Sequence, residues 1–279
     1  MQTKNFAILE KRALASRVVL FRIKAPLIAR KCQPGQFVIL RLNEKGERIP
    51  LTISEYNREE GTITIVVQDA GRTTHELSLM EEGETIEDIL GPLGRPTDIK
   101  KVGTVVGVGG GVGVALLYPE IKAYKEVGNR VISLIGAQNK DLLFFQDKIE
   151  AVSDKVIYST DDGSFGYHGF VTELLKEILE KGEEKISEVI AIGPIPMMRV
   201  VAEITRPYKV KTIVSLNPIM VDGTGMCGSC RVKVGGQTKF ACVDGPEFDA
   251  HLVDFDSLMK RQKRFLEEEK ISLQYQQRG

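Results

Sequence analysis

The 279-residue chain has no surplus of charge, since 38 Lys and Arg offset 38 Asp and Glu. Without a net basic field nothing long-range draws it to nucleic acid or to an anionic membrane. It also lacks an unbroken apolar span. Its nearest approach, Val102 to Tyr118, is uncharged but interrupted by six glycines, and reads as a buried strand running into a glycine turn rather than as a membrane helix. No targeting segment, internal repeat or low-complexity stretch is evident, which sets the expectation of a cytoplasmic protein with reduced thiols. Cysteine is scarce: Cys32, Cys227, Cys230 and Cys242. A disulfide framework is not expected, because Cys227 and Cys230 lie too close for a useful staple. Cys32 reads as a free thiol in an early β-rich segment.

The other three cysteines sit in a pattern. Asp222-Gly-Thr-Gly-Met-Cys227-Gly-Ser-Cys230 is followed by Cys242, giving D-x4-C-x2-C-x11-C. This keeps the plant-type [2Fe-2S] spacing with one thiolate replaced by a carboxylate, so Asp222, Cys227, Cys230 and Cys242 are the candidate metal ligands. Gly223, Gly225 and Gly228 suit a loop that must fold tightly around a cluster and aim N–H groups at its sulfides. The competing reading is a zinc site built from Cys227, Cys230, Cys242 and His251. Zinc, however, has no use for Asp222 at the ferredoxin offset.

The organisation changes twice along the chain. Residues 1–97 show short alternating segments (Phe6–Leu9, Val18–Ile23, Gln36–Leu42, Thr62–Gln68) between Gly, Pro and charged turns, the pattern of an antiparallel β-barrel. Across 98–217 apolar runs alternate with helix-like stretches: Thr104–Gly107, Val112–Val127, Val131–Ile135, helices ending near Lys181, then Val189–Ile192. That alternation predicts an α/β domain on a parallel sheet. Residues 218–279 carry the cysteine loop and a charged C-terminal helix.

Glycines cluster at Gly107, Gly109, Gly110, Gly111 and Gly113, directly after an apolar strand and before a helix. Bare N–H groups and the positive end of the helix would favour a dinucleotide pyrophosphate there, although the spacing fails a strict G-x-G-x-x-G. A second strand end, Gly193-Pro194-Ile-Pro-Met197-Met198, could frame a nicotinamide ring, with core packing as the bland alternative for both methionines. The loop Gly136 to Asp141 has no arginine for a 2′-phosphate, which favours NAD. In the first segment Arg48-Ile-Pro50-Leu51-Thr52-Ile53-Ser54, read as following a strand, could offer hydrogen bonds to a flavin. Gly71-Arg-Thr73-Thr74 and Gly91-Pro-Leu-Gly94 would add turns with free N–H groups. A flavin between nicotinamide and cluster is also what the chemistry asks for, since it takes electrons in pairs and delivers them singly. No catalytic acid or base is then required, and His75, His168 and His251 need play no part.

Over its whole length the chain resembles the ferredoxin reductase-like electron-transfer subunits typified by that of dihydroorotate dehydrogenase B. Pro50-Leu-Thr52-Ile, Gly91-Pro-Leu-Gly94, Gly109-Gly-Gly-Val-Gly113 and the Cys227, Cys230, Cys242 loop carry the likeness. Asp222 and the run Gly245-Pro-Glu-Phe-Asp249-Ala-His251-Leu-Val-Asp-Phe255 make it most similar to one branch, the small subunits of NADH-dependent ferredoxin:NADP oxidoreductases. The resemblance implies FAD in the barrel, NAD(H) on the α/β domain, and a [2Fe-2S] cluster in the last segment. It further implies a heterodimer with a larger subunit, similar to the small subunit of glutamate synthase and carrying another FAD and [4Fe-4S] clusters. Together they would perform electron bifurcation among NADPH, NAD and ferredoxin. Relatives commonly have arginine immediately before the barrel proline, where this chain has Ile49. Alternation puts Arg48 on the other face, which counts against a flavin-phosphate contact. The alternatives are the electron-entry subunit of a dihydroorotate dehydrogenase or a hydrogenase and, outside redox chemistry, a zinc-stabilised nucleotide-binding regulator.

Overall fold

A computed structural model describes residues 6–276. In the first region, period-two alternation lays down β1 (Ile8–Ala15), β2 (Val18–Lys24), β3 (Phe37–Arg41), β4 (Ile49–Asn57), β5 (Thr62–Gln68) and β6 (Asp88–Leu93). Helix α1 (Pro26–Lys31) lies between β2 and β3, and α2 (Arg72–Leu79) between β5 and β6. The strands pair antiparallel in the order β1-β2-β5-β4-β3-β6. The sheet closes where Ala7 bridges Thr85 and Ile8 N–H donates to Glu84 O at 2.8 Å. Phe21, Ile23, Leu40, Ile53, Ile63 and Ile65 fill the interior. Cys32 is buried among them, and burial pushes its thiol up to about 11, so it is a packed, unreactive group. Two boundaries differ from the sequence reading. The first strand runs Ile8–Ala15, and Ile49 to Ser54 belongs to a strand, β4, instead of following one.

The second region folds as β7 (Thr104–Gly110), α3 (Gly113–Glu126), β8 (Arg130–Ala137), α4 (Gln146–Ala151), β9 (Lys155–Thr160), β10 (Tyr167–His168), α5 (Val171–Lys181), β11 (Ile186–Ile192), α6 (Ile195–Thr205) and β12 (Lys211–Ser215). After it come β13 (Arg231–Val234), β14 (Gln237–Phe240), α7 (Ala241–Asp244), β15 (Glu247–Asp249), α8 (Phe255–Gln262) and α9 (Leu266–Gln276). The main sheet has the order β10-β9-β8-β7-β11-β12-β15, parallel except at β15. Its central strands are apolar nearly throughout, as helices on both faces require. Strand β15 pairs Ser215 with Glu247 and Ile213 with Asp249, so backbone hydrogen bonds cross the boundary expected near residue 217. The C-terminal segment completes the α/β sheet as well as forming its own hairpin of β13 and β14.

The three regions meet around buried carboxyl groups. Glu188 accepts from Tyr124 Oη at 2.6 Å and Lys211 Nζ at 2.7 Å, and Glu247 accepts from Thr97 Oγ1 at 2.6 Å. Glu120, buried on α3, has one oxygen with no N–H or O–H donor, and its carboxyl faces that of Glu247. Burial first, then the charge of Glu247, raises Glu120 well above the usual carboxylate range. A proton shared between the two carboxyls would supply the donor that the unpaired oxygen lacks.

Candidate functional site

Strands β7 and β11 are neighbours at the point where the sheet order reverses, the place where open α/β sheets bind ligands. Gly109 lies opposite Ile192, so the two expected strand ends emerge side by side. The glycines there have different reasons to be glycine. A Cβ on Gly110 would come within 2.6 Å of Met197 Sδ, and one on Gly193 within 2.8 Å of Met197 Cε. On Gly113 it would overlap the Ile192 carbonyl, and on Gly109 it would crowd Leu117 at 3.1 Å. Gly111 alone is exposed, with φ +55° and no neighbour within 4 Å of the place a Cβ would take. Its N–H is spent on Gly136 O at 3.0 Å, so the open donors of this turn are those of Val112 and Gly113 at the start of α3. Pro194 is exposed at the head of α6, Met197 is half-buried, and Met198 is core.

On the barrel, Pro50, Leu51, Thr52 and Ile53 lie along β4, with Pro50 opposite Ile39 and Thr52 opposite Phe37. Arg48 is exposed just before the strand. Ser54, the last residue of the stretch read as hydrogen-bonding a flavin, instead donates from Oγ to Ala115 O at 2.7 Å and ties the strand to α3. The turn at Gly71 departs from expectation: its N–H donates to Thr74 Oγ1 at 2.9 Å, and Thr73 Oγ1 donates to Glu47 at 2.6 Å. Those groups serve the start of α2, leaving the helix N–H groups themselves for a ligand. Gly91 and Gly94 are likewise governed by packing. A Cβ on Gly91 would strike Val38 at 2.7 Å, and one on Gly94, at φ +76°, would strike Phe37 and Pro246 at 2.9 Å.

The cysteine loop is shaped by three left-handed glycines, Gly223, Gly225 and Gly228, with φ of +74°, +86° and +67°. Two pairs form. Asp222 accepts from Cys227 N–H at 2.8 Å and Thr224 N–H at 2.9 Å. Cys230 and Cys242 are buried with their sulfurs 3.1 Å apart. Backbone donors, Thr224 first, hold the Asp222 carboxyl below its ordinary range. Ser229 does the same for the exposed Cys227 thiol, whereas burial and then Cys230 push Cys242 up to about 12. Two thiols packed together in an apolar pocket cannot both ionise without a cation between them. The donor set therefore fits a thiolate-bound cluster, although no three His, Cys, Asp or Glu side chains among the described residues converge on one point. His251 is engaged elsewhere: its Nε2 lies 2.9 Å from Thr205 Oγ1 at the end of α6, which removes it from a zinc set. Two arginines unforeseen from sequence grip the loop, Arg231 through Gly228 O at 2.9 Å and Arg261 through Ser229 O at 3.0 Å. With Arg264 they line a cavity of about 230 Å³ beside Cys227. His75 pairs with Asp69 at 3.0 Å, and His168 is exposed on β10.

A closed flavin-type barrel, a parallel nucleotide sheet and a cysteine loop define the ferredoxin reductase-like class of electron-transfer proteins. Residues 217–254 match the iron–sulfur cluster binding domain of dihydroorotate dehydrogenase B. A Thermotoga maritima relative, described as a dihydroorotate dehydrogenase B (NAD(+)) electron transfer subunit homolog, is 51% identical over 265 residues, 95% of this chain and 93% of the relative. The corresponding electron transfer subunit of Fusobacterium nucleatum is 30% identical over 92% of this chain and 100% of its own. A chain in the solved structure of the NADH-dependent reduced ferredoxin-NADP oxidoreductase, studied for flavin-based electron bifurcation, superposes with TM-score 0.94 at 47% identity, covering 99% of both chains. The protein belongs to the family of dihydroorotate dehydrogenase B electron-transfer subunits and their homologues. It is an oxidoreductase subunit, and such a subunit works with a larger partner. Among the described residues no helix is long and apolar enough to cross a membrane.

Proposed function

We propose that the chain exchanges hydride between NAD(H) and FAD and relays single electrons through a [2Fe-2S] cluster to its partner. When bound, the flavin converts the electron pair of NADH into the single electrons a cluster can take. The observation that carries this reading is the central place of the barrel. Its strand β4 meets α3, the helix after the glycine turn, through Ser54 and Ala115, while Ile39 of β3 and Leu93 of β6 back the ligand loop, a Cβ on Gly223 falling 2.8 and 2.7 Å from them. Residues 50–53 would hold the flavin ring, with Gly91, Gly94 and the α2 start around Gly71, Thr73 and Thr74 close by. Gly109, Gly110, Gly111 and Gly113 would admit the pyrophosphate at the head of α3, and Gly193, Pro194 and Met197 would flank the nicotinamide. Asp222 and Cys227 on one side, and Cys230 and Cys242 on the other, would hold the irons. The thiols need a reducing compartment, which supports a cytoplasmic location.

The likeness to the bifurcating enzyme supports a partner of the glutamate synthase small-subunit type, carrying FAD and [4Fe-4S] clusters and serving NADPH and ferredoxin. The purified chain should be yellow-brown, and anaerobic NADH should bleach the flavin absorbance and bring up a [2Fe-2S] EPR signal. A colourless chain holding zinc would overturn the reading. Co-purification separates the partners: a dihydroorotate-oxidising subunit in place of an NADPH- and ferredoxin-reactive one would favour the dihydroorotate dehydrogenase alternative.

A further inference from the structure

We propose that Ser54 and Pro119 form a latch that sets the nucleotide helix against the flavin strand, which makes Ser54 a positioning residue for hydride transfer. The inference rests on the cofactor sites proposed above. Pro119 lies inside α3, where proline has no N–H to give. The α-helical partner of Ala115 O is the N–H at position 119, four residues on, so that carbonyl loses its donor. Ala115 is fully buried, beyond the reach of water, and a buried carbonyl must be paired. Its donor comes from the other domain, as the hydroxyl of Ser54 at 2.7 Å, itself fully buried.

Each half is a defect without the other. Pro119 alone would strand a carbonyl, and Ser54 alone would bury a hydroxyl between β4 and α3. The next residue extends the joint, because Glu55 is ion-paired with Lys148 of α4, whose ammonium lies 4.8 Å from the Phe145 ring centre and 5.4 Å from that of Tyr118. The joint is also close to both proposed cofactor stretches: Ser54 is two residues from Thr52, and Ala115 two from Gly113. Any tilt of α3 against β4 is therefore a displacement of the nicotinamide relative to the flavin. Hydride transfer is steep in that displacement, about a hundredfold per ångström at the upper end.

The test uses the complete chain as Ser54→Ala, Ser54→Thr, Pro119→Ala and the Ser54→Ala/Pro119→Ala double variant. Anaerobic stopped-flow reduction by NADH yields the limiting rate and the apparent Kd, and urea denaturation yields the stability midpoint. Ser54→Ala should slow the limiting rate about tenfold with little change in Kd, as lost positioning rather than lost binding requires. Ser54→Thr should restore the rate, since it keeps the hydroxyl. With alanine at 119 the helix supplies its own N–H, so Ser54→Ala should lower the urea midpoint less than it does in the wild type. An unchanged rate in Ser54→Ala, or midpoint shifts that simply add, overturns the latch. If Ser54→Ala does not fold with flavin, Pro119→Ala decides, because its new N–H competes for the carbonyl; a wild-type rate there also overturns it. Failure of the wild type itself to bind FAD or accept hydride would instead sink the cofactor reading, and the coupling between positions 54 and 119 would still be measurable by urea.

Discussion

The turn between β7 and α3 and the loop from Asp222 to Cys230 are both rich in glycine, yet for different physical reasons. In the first, glycine is demanded by neighbours: Gly109, Gly110 and Gly113 lie against Leu117, Met197 and Ile192. In the second, it is demanded by the hand of the backbone, because Gly223, Gly225 and Gly228 all have positive φ. Gly223 is also crowded, by Leu93 at 2.7 Å and Ile39 at 2.8 Å, but Gly225 and Gly228 have only side chains at ordinary or slightly tight distance, Val243 at 3.2 Å and Phe240 at 3.6 Å. A nucleotide turn is thus a packing solution that brings helix, strand and ligand close together. A cluster loop is a conformational solution that turns the chain around its ligands.

The comparison breaks most visibly at Asp222. Replacing it with alanine removes the only carboxylate of the proposed ligand set and two backbone acceptor contacts. Iron content should fall or the EPR spectrum change shape, whereas cysteine should preserve a [2Fe-2S] centre with an altered potential. An alanine variant with full iron and an unaltered spectrum would take Asp222 out of the site. Next in size is Gly113→Ala, which pushes a Cβ into the Ile192 carbonyl, where no flexible side chain can yield. The expected loss is about 3 kcal/mol of stability, read from urea unfolding. Gly111→Ala sharpens the contrast, since its methyl meets open space and only the left-handed φ resists, at about 1 kcal/mol. Equal costs at the two positions would contradict the packing account of this turn. Gly111→Val should in addition weaken NADH while leaving flavin content unchanged.

A pH-dependent effect concerns the joint between the two regions, where Glu120 on the glycine-turn helix meets Glu247 on the cluster segment. Burial raises both carboxyls in the folded chain. Stability from the shared proton is full below the ordinary carboxylate value of 4.5 and is lost as pH rises through the higher folded value. Glu120→Gln, neutral at every pH, should therefore gain on the wild type as pH rises from 5 to 8, by at most about 1.4 kcal/mol per unit. Parallel urea profiles for the two chains would mean that no proton is shared there.

Much of the site was legible because it is local. The strand–glycine–helix order at Gly109 to Gly113 and the second strand end at Gly193 stand where the pattern put them. Other elements were hidden for stated reasons. Strand β15 is three residues long, too short for periodicity, and exists because β12 offers an edge. Thr73 and Thr74 look like free donors until α2 and Glu47 take them. Ser54 reads as one more hydroxyl of the flavin stretch, and nothing local links it to Pro119, until folding puts one beside the carbonyl the other leaves bare. The chain by itself determined the types and spacing of its candidate ligands and the places where backbone must be free of side chains, since these are set by residues within a few positions of one another. Only the tertiary structure decided what lies next to what: the barrel between the glycine turn and the cysteine loop, Cys230 against Cys242, and Glu120 against Glu247. Those depend on contacts between residues far apart in sequence, which no local pattern encodes.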